Sequence, residues 1–279
     1  MLKNKLNKPT SVTEGISEVG TPDMKYYAFD WDDNIMTMPT KIIVVDDNGK
    51  EVGMSTEDFA THRTQIGQEP FEYQGKTIVG FADRPFRNFK EEGNKDFLID
   101  SMEGKIGPAW NDFVEAINNG SIFAIITARG HNPETLKQAI YNMILANFNG
   151  INKKLLVKNL KKYRDLMDED KKSDTELIKD YMELNKYYPV TFGKGSAANP
   201  EELKVDSMKE FASYVREMSE KLHKKALVKN KVSNKFLPTI GFSDDDIRNV
   251  EVMKKSFEDK PESEMLRMYS TAGGTKKKY

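Results

Sequence analysis

The segment Phe29-Asp30-Trp31-Asp32-Asp33-Asn34-Ile35 sets two carboxylates two residues apart, directly after the apolar run Tyr26-Tyr27-Ala28-Phe29. If that run is a strand, its end opens into a loop where carboxylates at i and i+2 can share one small pocket. One can then act as nucleophile and the other as general acid and base. A carboxylate that attacks phosphorus gathers negative charge and needs a cation to offset it. Magnesium, held by oxygen ligands, is the usual answer. The pattern therefore asks for further carboxylates. Ser243-Asp244-Asp245-Asp246 supplies them, after a second apolar run at 236–242.

Four short apolar runs have strand character. Besides the two already named they are Ile122-Phe123-Ala124-Ile125-Ile126, closing on Thr127, and the weaker Tyr188-Pro189-Val190-Thr191-Phe192. Helical stripes lie between them. Trp110, Phe113, Val114 and Ile117 share a face ahead of Gly120, which stops that helix. Asn132-Pro133-Glu134 opens a helix with Leu136, Ile140, Met143, Ile144 and Phe148 inward. Pro200-Glu201-Glu202 opens another, with Val205, Met208, Phe211, Ala212 and Val215 inward. Strands alternating with helices imply a parallel sheet with crossover helices, and such sheets bind ligands at the carboxyl ends of their strands.

The polar ends of these runs resemble the motifs of the haloacid dehalogenase (HAD) superfamily, in that family's order. Asp30-Trp31-Asp32-Asp33-Asn34 is similar to its first motif, Asp-x-Asp-x-Thr/Val. Ile125-Ile126-Thr127 is similar to the second, and Gly241-Phe242-Ser243-Asp244-Asp245 to the fourth. The resemblance spans about residues 25–255. It implies a Rossmann-like three-layer α/β/α core and a phospho-aspartate mechanism with magnesium as cofactor. By that resemblance Asp30 is the nucleophile. Asp32 is the acid and base, with its backbone carbonyl on the metal. Thr127 binds a phosphoryl oxygen, and Asp244 and Asp245 complete the metal site. Lys204, in the first turn of the helix before the last strand, is the expected neutralising lysine, with Lys194 and Lys209 as rivals. Asn34 and Arg129 are the expected substrate contacts. A loop-capping role for Arg129 and His131 is the competing reading. Two residues depart from the family's pattern: Asn34 stands where Thr or Val is usual, and Asp33 replaces a frequent glycine.

Two stretches interrupt the alternation. Residues 40–106 read as a small mixed α/β cap insertion. Its signs are Ile42-Ile43-Val44-Val45, the hairpin turn Asp46-Asp47-Asn48-Gly49, Glu51-Val52, and a helix near residues 55–63. Residues 150–186 read as a helical insertion with amphipathic helices near 155–167 and 174–184. The core is then 25–39 and 107–255. Residues 1–24 read as a polar arm, and 256–279 as an extension ending in a lysine-rich tail. Trp31 either lines the substrate mouth or packs against the cap.

The 279-residue chain has no cysteine, which excludes disulfides, thiolate metal sites and a cysteine nucleophile. Its 43 Lys and Arg nearly balance its 44 Asp and Glu, so global charge points to no polyanionic partner. Local lysine runs, at 153–162 and 221–235, could attract a nucleic-acid backbone, but such runs are more often solvated faces. His62 and His223 lack metal-ligand spacing. Gly193-Lys194-Gly195-Ser196 lacks the spacing of a phosphate-binding loop and reads as a turn. No apolar run reaches the length of a membrane span, and residues 1–25 lack the apolar centre of a signal peptide. The expectation is a cytoplasmic, magnesium-dependent phosphatase of phosphorylated small molecules, nucleotides or nucleic-acid ends. The alternative is a HAD-fold structural or assembly protein that docks protein partners through its terminal arms.

Overall fold

The computed structural model describes residues 23–166, 169–194, 199–228 and 237–279. The arm expected at the amino terminus lies outside these except for its last two residues, as do Lys229, Lys231 and Lys235 of the basic stretch.

The chain enters through β1 (Asp23–Phe29) and leaves the core at once. A ribbon of β2 (Met36–Thr37) and, at the far end of the excursion, β7 (Lys105–Ile106) forms the neck of the insertion. Between them lie β3 (Ile42–Asp46), β4 (Glu51–Met54), α1 (Thr56–His62), β5 (Phe71–Tyr73), β6 (Lys76–Phe81) and α2 (Asn94–Glu103). The four longer strands make an antiparallel sheet in the order β4-β3-β6-β5. The β3–β4 turn closes as its sequence predicts. Gly49 takes a left-handed φ of 73°, and Asp46 Oδ1 accepts from the backbone of Asn48 and Lys50. Ser55 caps α1 by accepting from the Asp58 backbone. Val44, Val52, Met54, Ile66, Tyr73 and Ile78 form this unit's own small core.

The core resumes with α3 (Trp110–Asn119), β8 (Phe123–Thr127) and α4 (Pro133–Ala146). Next come α5 (Lys153–Leu166) and α6 (Asp174–Leu184), then β9 (Lys186–Pro189), α7 (Pro200–Val228), β10 (Leu237–Asp244), α8 (Ile247–Phe257), β11 (Leu266–Ser270) and β12 (Lys277–Lys278). The main sheet has the order β12-β11-β10-β1-β8-β9, and all its pairs are parallel except β11–β12. The fold is mixed α/β with a mostly parallel central sheet, compatible with the expected three layers.

Strand alternation divides the core. Phe29, Phe123 and Ile125 face the side packed by α3, α4, α5 and α6. Tyr26, Ala28, Ala124, Ile126, Ile240 and Phe242 face the side packed by α7 and α8. A fully buried side chain of this size contributes about 1.5–3 kcal/mol, so both faces are strongly held. The helical stretch near 150–186 thus belongs to one packed layer: Leu156, Val157, Leu177, Ile178, Tyr181 and Met182 are all buried in it.

Two expectations are corrected. The weak third strand was placed on 188–192 but runs Lys186–Pro189 on the sheet edge, where Pro189, with no N–H, closes the ladder. The carboxyl-terminal residues are not a free tail. β11 is a parallel strand beside β10, β12 pairs back on it, and Thr271 is 1% exposed.

Candidate active site

The register of the sheet brings the chemistry together. Phe29 pairs with Ser243 on one side and with Ile125 on the other, so the carboxyl ends of β1, β10 and β8 are level. The chain runs outward from β1 through β8 to β9, then crosses back to β10. The end of β1 is therefore a topological switch point, where crevices form in parallel sheets. Asp30 stands at that point and Asp244 beside it.

Both carboxylates are buried, Asp30 at 4% exposure and Asp244 at 0%. Lys204 reaches them from α7. Asn199 caps that helix by accepting from the Glu201 backbone, and its buried stripe at Val205, Met208, Phe211, Ala212 and Val215 fixes its rotation. The Lys204 ammonium, 3% exposed, donates to Asp30 Oδ1 at 2.8 Å and to Asp244 Oδ2 at 2.7 Å. Its rivals are elsewhere: Lys209 pairs with Asp206 on the surface, and Lys194 is exposed. Asp244 Oδ1 also accepts from the Asp246 backbone and from Asn249.

Asp245 joins this pair. Ligand oxygens of Asp30, Asp244 and Asp245 lie within 4.8 Å of one another. Three carboxylates thus face one ammonium, so with all three ionised negative charge would be in excess. Burial first, then the neighbouring carboxylates, push Asp30 up to about 8 and Asp245 up to about 9, against the pull of Lys204. Burial alone would lower Lys204. Asp244 and Asp30 more than reverse that, and it stays charged. An all-oxygen, over-charged donor set fits a hard divalent cation. It suits neither a thiolate-seeking nor an imidazole-seeking metal.

Asp32 belongs to a different environment. Arg129, its side chain fully buried, grips both Asp32 oxygens, Nε at 2.8 Å and Nη2 at 2.6 Å. Nη1 donates to His131 Nε2 at 3.0 Å, and the guanidinium carbon lies 4.5 Å from the Phe89 ring centroid and 4.9 Å from that of Phe97. The expected substrate contact through Arg129 is therefore corrected: its donors are committed inside the protein. Asn34 is corrected likewise. It is 0% exposed, donates to the carbonyls of Asp30 and Ser243 and to Ser243 Oγ, and accepts from Thr271 Oγ1 at 2.8 Å. It braces the ends of β1 and β10 against each other.

The remaining first-loop residues have structural explanations. Asp33 takes φ 53°, a left-handed turn that glycine adopts freely and aspartate tolerates. Gly107 passes so close that a Cβ there would sit 2.4 Å from the Asn34 carbonyl oxygen. Trp31 is fully buried, 5.1 Å from Phe97 between ring centroids, and so packs under the insertion and does not line a mouth. Thr127, also fully buried, accepts from the Arg129 backbone at 3.3 Å.

Sequence reasoning missed Ser243, Thr271, Asn249 and the Thr40, Asn94 and Phe97 contacts to the Arg129 group. Only Ser243 carried a local signal, next to the acidic run. No protein-family model, no curated protein and no solved structure matches this chain.

Proposed function

We propose that this protein is a magnesium-dependent phosphate monoester hydrolase that works through a phosphoryl group on Asp30. The observation that carries the reading is the buried cluster at the switch point: Asp30 against Lys204 and Asp244, with Asp245 within ligand distance. A nucleophilic carboxylate next to a fixed ammonium, with two further carboxylates able to hold a metal ion, suits in-line attack on a phosphate ester.

The residues divide the work as follows. Asp30 attacks phosphorus as the bond to the leaving oxygen breaks. Asp32 supplies the proton that the leaving oxygen needs, then takes one from the water that cleaves the acyl phosphate. Lys204 balances charge on Asp30 and on the transferring group. Thr127 holds a phosphoryl oxygen. Asp30, Asp244, Asp245 and the Asp32 carbonyl would hold the magnesium ion, which when bound offsets phosphate charge. The substrate class proposed is a phosphorylated small molecule or nucleotide. The assembly alternative draws on free terminal arms, and one of these is weakened, because Thr271 is buried and Lys277 and Lys278 pair with β11. Among the described residues no helix is long and apolar enough to cross a membrane.

A screen of phosphate monoesters with and without magnesium tests the reading, with Asp30→Asn as control. Turnover that needs magnesium and vanishes in Asp30→Asn is expected, as is binding of beryllium fluoride to wild type alone. Equal activity of wild type and Asp30→Asn would reject the mechanism.

A further inference from the structure

The guanidinium of Arg129 is rooted in the core, two residues beyond β8, but the groups around it come largely from the insertion. Thr40 Oγ1 accepts from Nη2 at 3.3 Å. Phe89 and Phe97 lie against the guanidinium. Because arginine only donates, His131 Nε2 must accept from it, which leaves the proton on Nδ1 to reach Asn94 Oδ1 at 3.1 Å. The backbone N–H of Gly130 donates to the Phe89 carbonyl at 2.8 Å. Thr40, Phe89, Asn94 and Phe97 all belong to residues 40–106. From the core, His131 takes Nη1 and Asp32 takes Nε and Nη2.

We propose that Arg129 is a positioning residue that makes the orientation of Asp32 depend on the seating of the insertion. The inference rests on the reading of Asp32 as acid and base. A bidentate guanidinium–carboxylate pair fixes a carboxylate in plane and in rotation. That grip is strong only while the guanidinium is dry and its other donors are satisfied. With the insertion seated, aromatic rings keep water off and Thr40 and His131 take the remaining donors. With it lifted, water reaches the guanidinium, and the pair becomes an ordinary solvated one of small worth. Asp32 then has no fixed direction. Each Asp32 oxygen accepts once from Arg129, so one oxygen can carry a proton on its remaining lone pair and pass it to a substrate oxygen. Seating the insertion thus does more than screen the site, because it aims the proton donor. The coupling is reciprocal, since whatever holds Asp32 in place also holds the insertion down.

Two measurements test this. The first compares esters with good and poor leaving groups, p-nitrophenyl phosphate and an alkyl phosphate, in magnesium. Arg129→Lys keeps the charge but loses the fork. It should slow the alkyl ester by about 100-fold and the nitrophenyl ester by less than about 5-fold, because only the former needs a well-aimed proton. A role in packing alone would slow both alike. The second needs no turnover: hydrogen exchange of the amides at 87–103. Arg129→Lys should speed exchange there by about tenfold without changing that of β1 and β10. Asn94→Ala, which is gentler and keeps the fold intact if Arg129→Lys does not, should move both readouts the same way but less. If wild type cleaves both esters, and the variants slow them equally with exchange unchanged, the coupling is overturned and the site reading stands. If wild type cleaves neither but exchange in 87–103 rises, the acid–base role of Asp32 falls and the mechanical coupling survives. No turnover and unchanged exchange overturn both.

Discussion

Two buried cations flank the loop from Asp30 to Asn34, and they are used in opposite ways. Lys204 is shared. It faces Asp30 and Asp244, with Asp245 behind them, so the three carboxylates can ionise together only if a further cation joins Lys204. Arg129 is matched. It meets one carboxylate, Asp32, with both oxygens engaged, and its remaining donors end on neutral groups. The shared cation leaves a site hungry for a further positive charge. The matched one leaves a closed pair that does mechanical work. The chemistry of the two side chains suits this division: an ammonium is a point charge that several oxygens can surround, whereas a guanidinium is a planar fork fitted to one carboxylate. The side chains that meet Lys204 come from the core, whereas the Arg129 side lies at the seam with the insertion. Lys90, which donates to Thr191 Oγ1 at 3.0 Å, stitches the same seam.

The largest test of this contrast is loss of turnover. Asp30→Asn removes the nucleophile and should abolish hydrolysis, and Lys204→Met should lower kcat by about 10³-fold, as for loss of a donor that acts on developing charge. Initial rates on any accepted ester check both. If Lys204→Met is nearly fully active, the shared cation has no part in the chemistry.

Stability gives the next test. Arg129→Leu leaves Asp32 facing apolar rings without a partner. Removing one member of a buried pair costs about 3–5 kcal/mol, and the 18% exposure of the Asp32 side chain brings the expectation to about 3 kcal/mol. Urea denaturation measures it. Adding Asp32→Leu to Arg129→Leu should recover most of the loss. If the double variant is no better than the single, the pair is not the source.

Magnesium sharpens the other side. A cation that binds only the folded chain should stabilise it by about 2.7 kcal/mol at a hundredfold excess over its Kd. Asp244→Asn should remove most of that gain and Arg129→Lys almost none of it. Thermal melts with and without magnesium distinguish the two. Equal losses would mean that the two sides are one site.

How much of this the sequence shows depends on distance along the chain. Asp30, Thr127 and Asp244 were legible because each stands at the end of an apolar run, and strand ends are local events. Lys204 was legible as one of three candidate lysines, favoured for its place in the first turn of the helix before the last strand; the stripe from Val205 to Val215 fixes its rotation in the fold. The cap hairpin and the helix capped by Ser55 were legible from turn and cap residues. The fork between Arg129 and Asp32 spans 97 residues, and the bond from Thr271 to Asn34 spans 237. No local pattern encodes such meetings. They hid two things: that Asn34 braces strands, and that the lysine tail is anchored. β11 carries a period-two signal in Leu266, Met268 and Ser270, but a five-residue strand among polar neighbours does not stand out. The cap strands at 71–81 were missed for a similar reason, since Val79 and Phe81 point outward and blur the alternation.

The smallest expected effect concerns His131, the link between Arg129 and Asn94. Burial first, then Arg129 and Lys90, push its pKa from 6.5 down to about 3. Above pH 6.5 neither the folded nor the unfolded chain carries that proton, and its full contribution to stability is present. Below 6.5 the unfolded chain takes up a proton that the fold refuses, so stability is lost as pH falls through the window from 6.5 to 3. Between pH 7 and 5.5 the loss is about 1 kcal/mol. Asp30 and Asp245 pull the other way in metal-free protein, because their raised pKa values let the fold hold protons that the unfolded chain releases. The raw pH profile therefore mixes the two sides of the site. Subtracting His131→Gln from wild type removes the carboxylate part, which both proteins share. The stability gap between them should narrow by about 1 kcal/mol from pH 7 to pH 5.5, read from urea midpoints at each pH. A gap that stays constant would mean that His131 takes up its proton in the folded state. In that case the tautomer that links Arg129 to Asn94 is not the one that holds the insertion in place.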